Sequence, residues 1–197
     1  REAALNHDLE VAWKIQKSMV PSKFPPFPKR SDIDLYGYLK PARSIGGDLY
    51  DFFIRDEKLF FCICDVCCKG IPAALFMMET RSLFRAYAAT ENRPDRIVFK
   101  INNSLNENNE SLMFVTLFIG ILDLTTGELR YCNAGNEAPL IINKEITRLS
   151  FEGVNPVGVD FNTKYVMQKI HIEPQTTILA YNDGLDKAMT AAKEQSD

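Results

Sequence analysis

The chain has 197 residues, of which 46% are hydrophobic, 25% charged and 11% aromatic, proportions of an ordinary globular domain rather than of a disordered or fibrous chain. With 23 Lys and Arg against 26 Asp and Glu, the formal net charge is −3; there is no basic excess to hold nucleic-acid phosphates, so nucleic acid is excluded as a partner. No apolar run approaches the roughly 20 residues of a membrane span, so no direct membrane contact is expected. The chain starts at Arg1 without a signal peptide and reads as a cytoplasmic piece of a longer protein, whose other domains could tether it to a membrane.

Residues 2–19 predict a helix, with Leu5, Leu9, Ala12, Ile15 and Met19 at spacings of three and four. Pro21 and the run from Pro25 to Pro28 end it. The narrow stripe suits a linker helix over 1–21 that packs on the rest of the chain or pairs with a second copy as a homodimer. From residue 33 the pattern turns strand-like. Ile33 to Leu39 is one candidate strand; Leu49 to Ile54 and Leu59 to Cys64 form a hairpin around Arg55-Asp56-Glu57-Lys58. Gly70-Ile71-Pro72 opens a helix over 73–89, and a second helix runs over 94–106. Strands return at 113–124, 128–133, 139–142, 146–149, 165–172 and 177–181. Many strands with short turns, plus two consecutive helices to cover a face, predict an α+β fold of roughly ten strands.

Four of the five cysteines, Cys62, Cys64, Cys67 and Cys68, crowd into one short segment and cannot staple distant elements, which suits a reducing compartment. A zinc site would need a second ligand pair, and the two histidines, His7 and His171, do not supply one. Small residues filling a buried strand and turn are the expectation. Cys67 and Cys68 also precede a predicted helix N-terminus, where thiolates are stabilised, so redox sensitivity is a further expectation.

Asp48, Asp65 and Asp183 each sit where a strand meets a Gly-containing turn. A carboxylate at the end of a buried strand wants a cation or a hydrogen-bond donor, or else it caps a turn. Several such carboxylates at one sheet edge would form an oxygen site for Mg²⁺ or Mn²⁺.

Five stretches, in order, resemble the SpoIIE/RsbU-type bacterial serine phosphatases, a branch of the PPM metal-dependent protein phosphatases. They are Ala12 to Pro21 (AWKIQKSMVP), Ala42 to Phe53 (ARSIGGDLYDFF), Ile63 to Met77 (ICDVCCKGIPAALFM), Met113 to Leu140 (MFVTLFIGILDLTTGELRYCNAGNEAPL) and Leu179 to Ala188 (LAYNDGLDKA). The resemblance implies a PPM phosphatase-like sandwich of two antiparallel β-sheets flanked by α-helices over 22–197, with two divalent cations, Mn²⁺ or Mg²⁺, at one end. It makes Asp48, Asp65 and Asp183 catalytic and metal-binding, with the Val66 carbonyl as a further ligand. The implied reaction is attack of a metal-bound hydroxide on phosphoserine or phosphothreonine. The implied partners are a phosphorylated STAS-domain anti-anti-sigma protein and an upstream sensor or receiver domain of the same chain.

The chain departs from the family pattern in places. Cys64, Cys67 and Cys68 replace Gly, Ser and Gly; a Cβ at 68 restricts the backbone if a positive φ is required. Ala134-Gly135-Asn136 stands where the family has Ala-Gly-His, and Tyr181-Asn182-Asp183-Gly184 where it has Tyr-Thr-Asp-Gly. The family's last metal-binding Asp, in a C-terminal Asp-Asp motif, has no counterpart here; Asp186, Glu194 and Asp197 do not sit in such a motif. A domain truncated at its C-terminus is therefore expected, and a catalytically inactive phosphatase-like binding module is the alternative. Gly46-Gly47-Asp48 also resembles the Gly-Gly-Asp signature of diguanylate cyclases, but Leu49-Tyr50 supply no second carboxylate.

Overall fold

Asp56 and Glu57, both with positive φ (51° and 57°), make the tight turn that joins the first two strands, β1 (Asp48–Arg55) and β2 (Lys58–Val66). A two-residue turn of this hand matches the twist of the flanking strands. The computed structural model describes residues 2–40, 45–152 and 155–185. Within them follow α2 (Ile71–Ala88) and α3 (Pro94–Asn106), after the N-terminal α1 (Glu2–Met19). The remaining strands are β3 (Val115–Asp123), β4 (Glu128–Ala134), β5 (Leu140–Ile142), β6 (Ile146–Arg148), β7 (Gln168–His171) and β8 (Thr177–Leu179).

The strands form two antiparallel sheets, a large one ordered β1-β2-β3-β4-β7 and a small one ordered β6-β5-β8. Alternation sorts the side chains of the large sheet into two cores. Leu49, Phe60, Cys62, Cys64, Leu117, Ile119 and Ile121 pack with Met77 and Phe84 of α2 and Ile97 and Ile101 of α3. Phe118, Leu129 and Tyr131, on the opposite face, pack with Ile141, Leu149 and Ile178 of the small-sheet region. The result is the expected α+β sandwich, with helices α2 and α3 outside the large sheet. Gly120 lies opposite Phe61, whose ring occupies the space a Cβ there would need.

Asp51 is a charged residue buried in the helix-side core. Arg85 of α2 donates two 2.6 Å hydrogen bonds to its carboxylate, and Arg81 approaches at 3.3 Å. Burying a carboxylate requires such pairing, and here the pairing ties α2 to β1.

Three expectations are corrected. Eight strands form among the described residues, not roughly ten. Ile33 to Leu39 is extended but joins no ladder; its alternating side chains rest half-buried while Tyr36 and Tyr38 stay exposed. The 165–172 strand contracts to β7, because Tyr165 instead packs on the helix-side core and donates from its hydroxyl to the Pro156 carbonyl at 3.3 Å. In α1, Leu5 and Ile15 of the apolar stripe are exposed, and Gln16 is buried. No helix among the described residues is long and apolar enough to cross a membrane.

Candidate metal centre

The β1–β2 ladder sets Asp48 directly opposite Asp65, and Asp65 opposite Thr116 of β3. Phe52 pairs with Phe61 in the same register, and Phe61 packs in the inter-sheet core. By pleat alternation Asp48 and Asp65 therefore share the inter-sheet face, at the end of the large sheet. Both residues are half-buried. Like charges directly opposite one another on a sheet are destabilising, a cost that a cation held between them offsets.

Close backbone approach builds the rest of this end. The Val66 N–H donates to the Gly47 carbonyl at 3.3 Å. A Cβ on Gly47 would stand 2.9 Å from the Val66 Cβ and 3.2 Å from the Val66 carbonyl oxygen. Glycine at 47 is thus required by packing against Val66, whose carbonyl the family pattern makes a ligand. Thr116 donates from its hydroxyl to the Asp65 carbonyl at 3.3 Å. These donors are carboxylate and carbonyl oxygens, hard ligands that suit Mg²⁺ or Mn²⁺ better than zinc.

Gln16 was not among the residues singled out from the sequence. Its buried amide donates to the Gly46 carbonyl at 2.7 Å and accepts from the Gly46 N–H at 3.2 Å. One signal for it was present: a glutamine four residues beyond Ala12 on the apolar side of an amphipathic helix. The contact joins α1 to the Gly46-Gly47 stretch that leads into Asp48.

The turn after Asp65 adopts the conformation that its family counterpart would need glycine for. Cys68 has φ 74°, followed by Gly70 at φ 75° as the N-cap of α2. The Cys67 N–H donates to the Phe114 carbonyl at 2.9 Å, and the Phe114 N–H lies 3.1 Å from the Cys67 sulfur. The expected thiolate at Cys67 is corrected: burial pushes its thiol up, outweighing the Phe114 hydrogen bond. Burial likewise raises Cys62 and Cys64 well above the usual thiol range and pushes Cys132 up to about 12. These three are buried strand residues, as small apolar side chains would be.

Asp183 is exposed and opens a helical turn at 183–185, beyond β8. Its segment is tied to the large sheet through Asn136. The buried Asn136 side chain donates to the Tyr181 carbonyl at 3.1 Å and to the Glu137 carbonyl at 3.0 Å, while its N–H donates to the Asn133 side chain at 2.8 Å. The adjoining Gly135 bridges Leu117, next to the Thr116 that faces Asp65. Asp48 and Asp65 are thus brought together by the ladder, and the Tyr181–Asp183 stretch is anchored to the same end. Among the described residues, no three His, Cys, Asp or Glu gather into a metal-holding group. Ala42 to Ser44 of the first acidic stretch, and Asp186, Glu194 and Asp197, lie outside the described residues.

The family model described as Stage II sporulation protein E (SpoIIE) matches residues 55–196. The chain is similar to phosphoserine phosphatase RsbU of Bacillus subtilis, with 26% identity over 94% of this chain and 55% of RsbU. Its fold is similar to the SiaA-PP2C domain of Pseudomonas aeruginosa, at a TM-score of 0.76 and 19% identity, covering 93% of this chain and 73% of that one. It is also similar to RsbX, solved in complex with magnesium, at a TM-score of 0.61 and 21% identity over 76% of this chain and 72% of RsbX. The chain spans 34% and 55% of the lengths of two curated relatives it matches.

Proposed function

The chain belongs to the SpoIIE family, and from that premise we propose that it is a divalent-metal-dependent protein serine/threonine phosphatase domain acting on a phosphorylated STAS-type anti-anti-sigma protein. The observation that carries this reading is the pairing of Asp48 with Asp65 across the β1–β2 ladder, on the inter-sheet face. Asp48, Asp65, the Val66 carbonyl and Asp183 are the residues that would hold two cations, Mn²⁺ or Mg²⁺. When bound, such cations neutralise phosphate oxygens and acidify a water molecule.

The chain's own contribution is placement and electrostatics. The ladder sets Asp48 and Asp65 opposite each other on neighbouring strands. Gly47 lets the backbone close on the Val66 carbonyl without steric clash. The Asn136 amide fixes the carbonyl of Tyr181, two residues before Asp183. No cysteine is assigned a nucleophilic role, consistent with the raised Cys67 thiol. The exposed Leu5 and Ile15 of the α1 stripe suit pairing with a second copy or with an upstream sensor or receiver domain of the longer chain.

The test is Mn²⁺-dependent hydrolysis of p-nitrophenyl phosphate and of a serine-phosphorylated STAS protein by the full-length protein. Turnover that Asp65→Asn abolishes is expected. A second reading, a module that binds its partner without hydrolysis, is favoured by one observation: a cysteine in the left-handed conformation at position 68, two residues from Val66. Equal inactivity of wild type and Asp65→Asn would overturn the first reading.

A further inference from the structure

An open pocket of about 400 Å³ lies beside the Asn136 stretch, lined among others by Asn136, Glu137, Arg148 and Phe151. We propose that this pocket receives an acidic side chain flanking the substrate's phosphoserine, with Arg148 as its anion partner. The inference rests on the phosphatase reading above and adds a specificity-determining residue to it.

Position supports the assignment. In the small sheet, Arg148 pairs with Leu140, which pairs with Leu179 on its other side. The 136–139 loop therefore enters the sheet, and the 180–183 segment leaves it, at the end where Arg148 stands. Tyr181 links the two features directly: its carbonyl accepts from Asn136, and its hydroxyl accepts from Arg148 at 2.7 Å. A substrate whose phosphoserine lies at the Asp48–Asp65 end would carry its neighbouring residues past this pocket.

Chemistry supports the choice of ligand. Arg148 is the one cation among the residues lining the pocket, and about half of its side chain is exposed. Among the described residues its guanidinium makes a single hydrogen bond, to Tyr181, which orients the fork and leaves further N–H donors for a carboxylate. Glu137 stands 3.7 Å away, beyond hydrogen-bond reach, and tempers the positive charge without sealing it. Asn136 presents no competing donor, because its side-chain amide is engaged by the Glu137 and Tyr181 carbonyls. The partly exposed Phe151 ring offers an apolar wall for the aliphatic part of the incoming side chain.

The experiment compares two phosphoserine peptides of otherwise identical sequence, with Asp or Ala on both sides of the phosphoserine, using the full-length protein with Mn²⁺. Wild type is expected to prefer the Asp peptide by about fivefold in kcat/KM, the size of an exposed ion pair, and to do so through KM. Arg148→Ala should abolish the preference, Arg148→Lys should keep part of it, and Arg148→Glu should reverse it. Turnover of the Ala peptide in each variant reports that the protein is folded. Equal use of both peptides by wild type, or a preference that survives Arg148→Glu, overturns the proposal while leaving the phosphatase reading intact. If wild type turns over p-nitrophenyl phosphate but neither peptide, the proposal is overturned and the phosphatase reading stands; if it turns over none of the three, the phosphatase reading fails and this inference falls with it.

Discussion

Asp51 and Arg85 are joined by two 2.6 Å hydrogen bonds, the carboxylate wholly buried in β1 and the guanidinium reaching it from α2. Removing one partner of such a pair leaves a buried charge incompletely matched. Arg85→Ala is expected to lower unfolding free energy by about 3 kcal/mol, measured by urea denaturation. Arg85→Lys should recover only part of the loss, because lysine cannot reproduce the planar two-point contact. A loss below about 1 kcal/mol for Arg85→Ala would place the pair among surface-like ion pairs instead.

The facing carboxylates of Asp48 and Asp65 make a prediction that does not depend on turnover. Asp65→Asn removes one of the two facing carboxylates proposed to hold a cation. The same variant should lose the rise in Tm that Mn²⁺ produces in wild type. A variant that keeps the Mn²⁺-induced rise contradicts the assignment of this pair.

Cys68 holds φ 74°, a conformation that costs a residue with a Cβ about 1–2 kcal/mol and glycine very little. Cys68→Gly restores the residue usual in the family and is expected to stabilise the chain by about 0.5–1 kcal/mol, after the greater flexibility of glycine in the unfolded state is subtracted. Cys68→Ala, which keeps the Cβ, should not. Thermal unfolding of the two variants side by side separates the backbone effect from loss of the thiol.

Asp123 caps the β3–β4 turn. The Thr125 hydroxyl donates to it at 2.7 Å, and the Thr125 and Thr126 N–H groups at 2.9 and 3.1 Å. These bonds, the Thr125 hydroxyl foremost, hold the carboxyl down to about 2 from its usual 3.8. A carboxyl depressed in the folded state contributes fully above its unfolded value and loses that contribution as pH falls through the folded one. Wild type should therefore lose more stability between pH 3.8 and about 2 than Asp123→Asn does. Thermal melts across that window give the comparison, and parallel curves would contradict it.

Much of the architecture is legible along the chain because it depends on local patterns. The Arg55–Lys58 turn, the helix opened by Gly70-Ile71-Pro72 and the alternation within β2 and β3 all follow from residue types a few positions apart. Ile33 to Leu39 alternates equally well yet pairs with nothing among the described residues, since alternation specifies a pleat and not a partner. Cys67 illustrates the same limit. Proximity to a helix N-terminus suggested a stabilised thiolate, but burial, set by residues distant in sequence, dominates and pushes the thiol up.

The candidate site divides in the same way. The sequence by itself singled out Asp48, Asp65 and Asp183 as candidate ligands for a hard cation, because they stand beside Gly-containing turns in stretches that resemble a family. Tertiary structure alone decided that Asp48 faces Asp65, that Gly47 closes on Val66, that Gln16 holds Gly46, and that Arg148 meets Tyr181. Those relationships depend on ladder register and on packing between segments far apart in the chain. A one-residue slip in register would turn every one of the strand side chains to the opposite face.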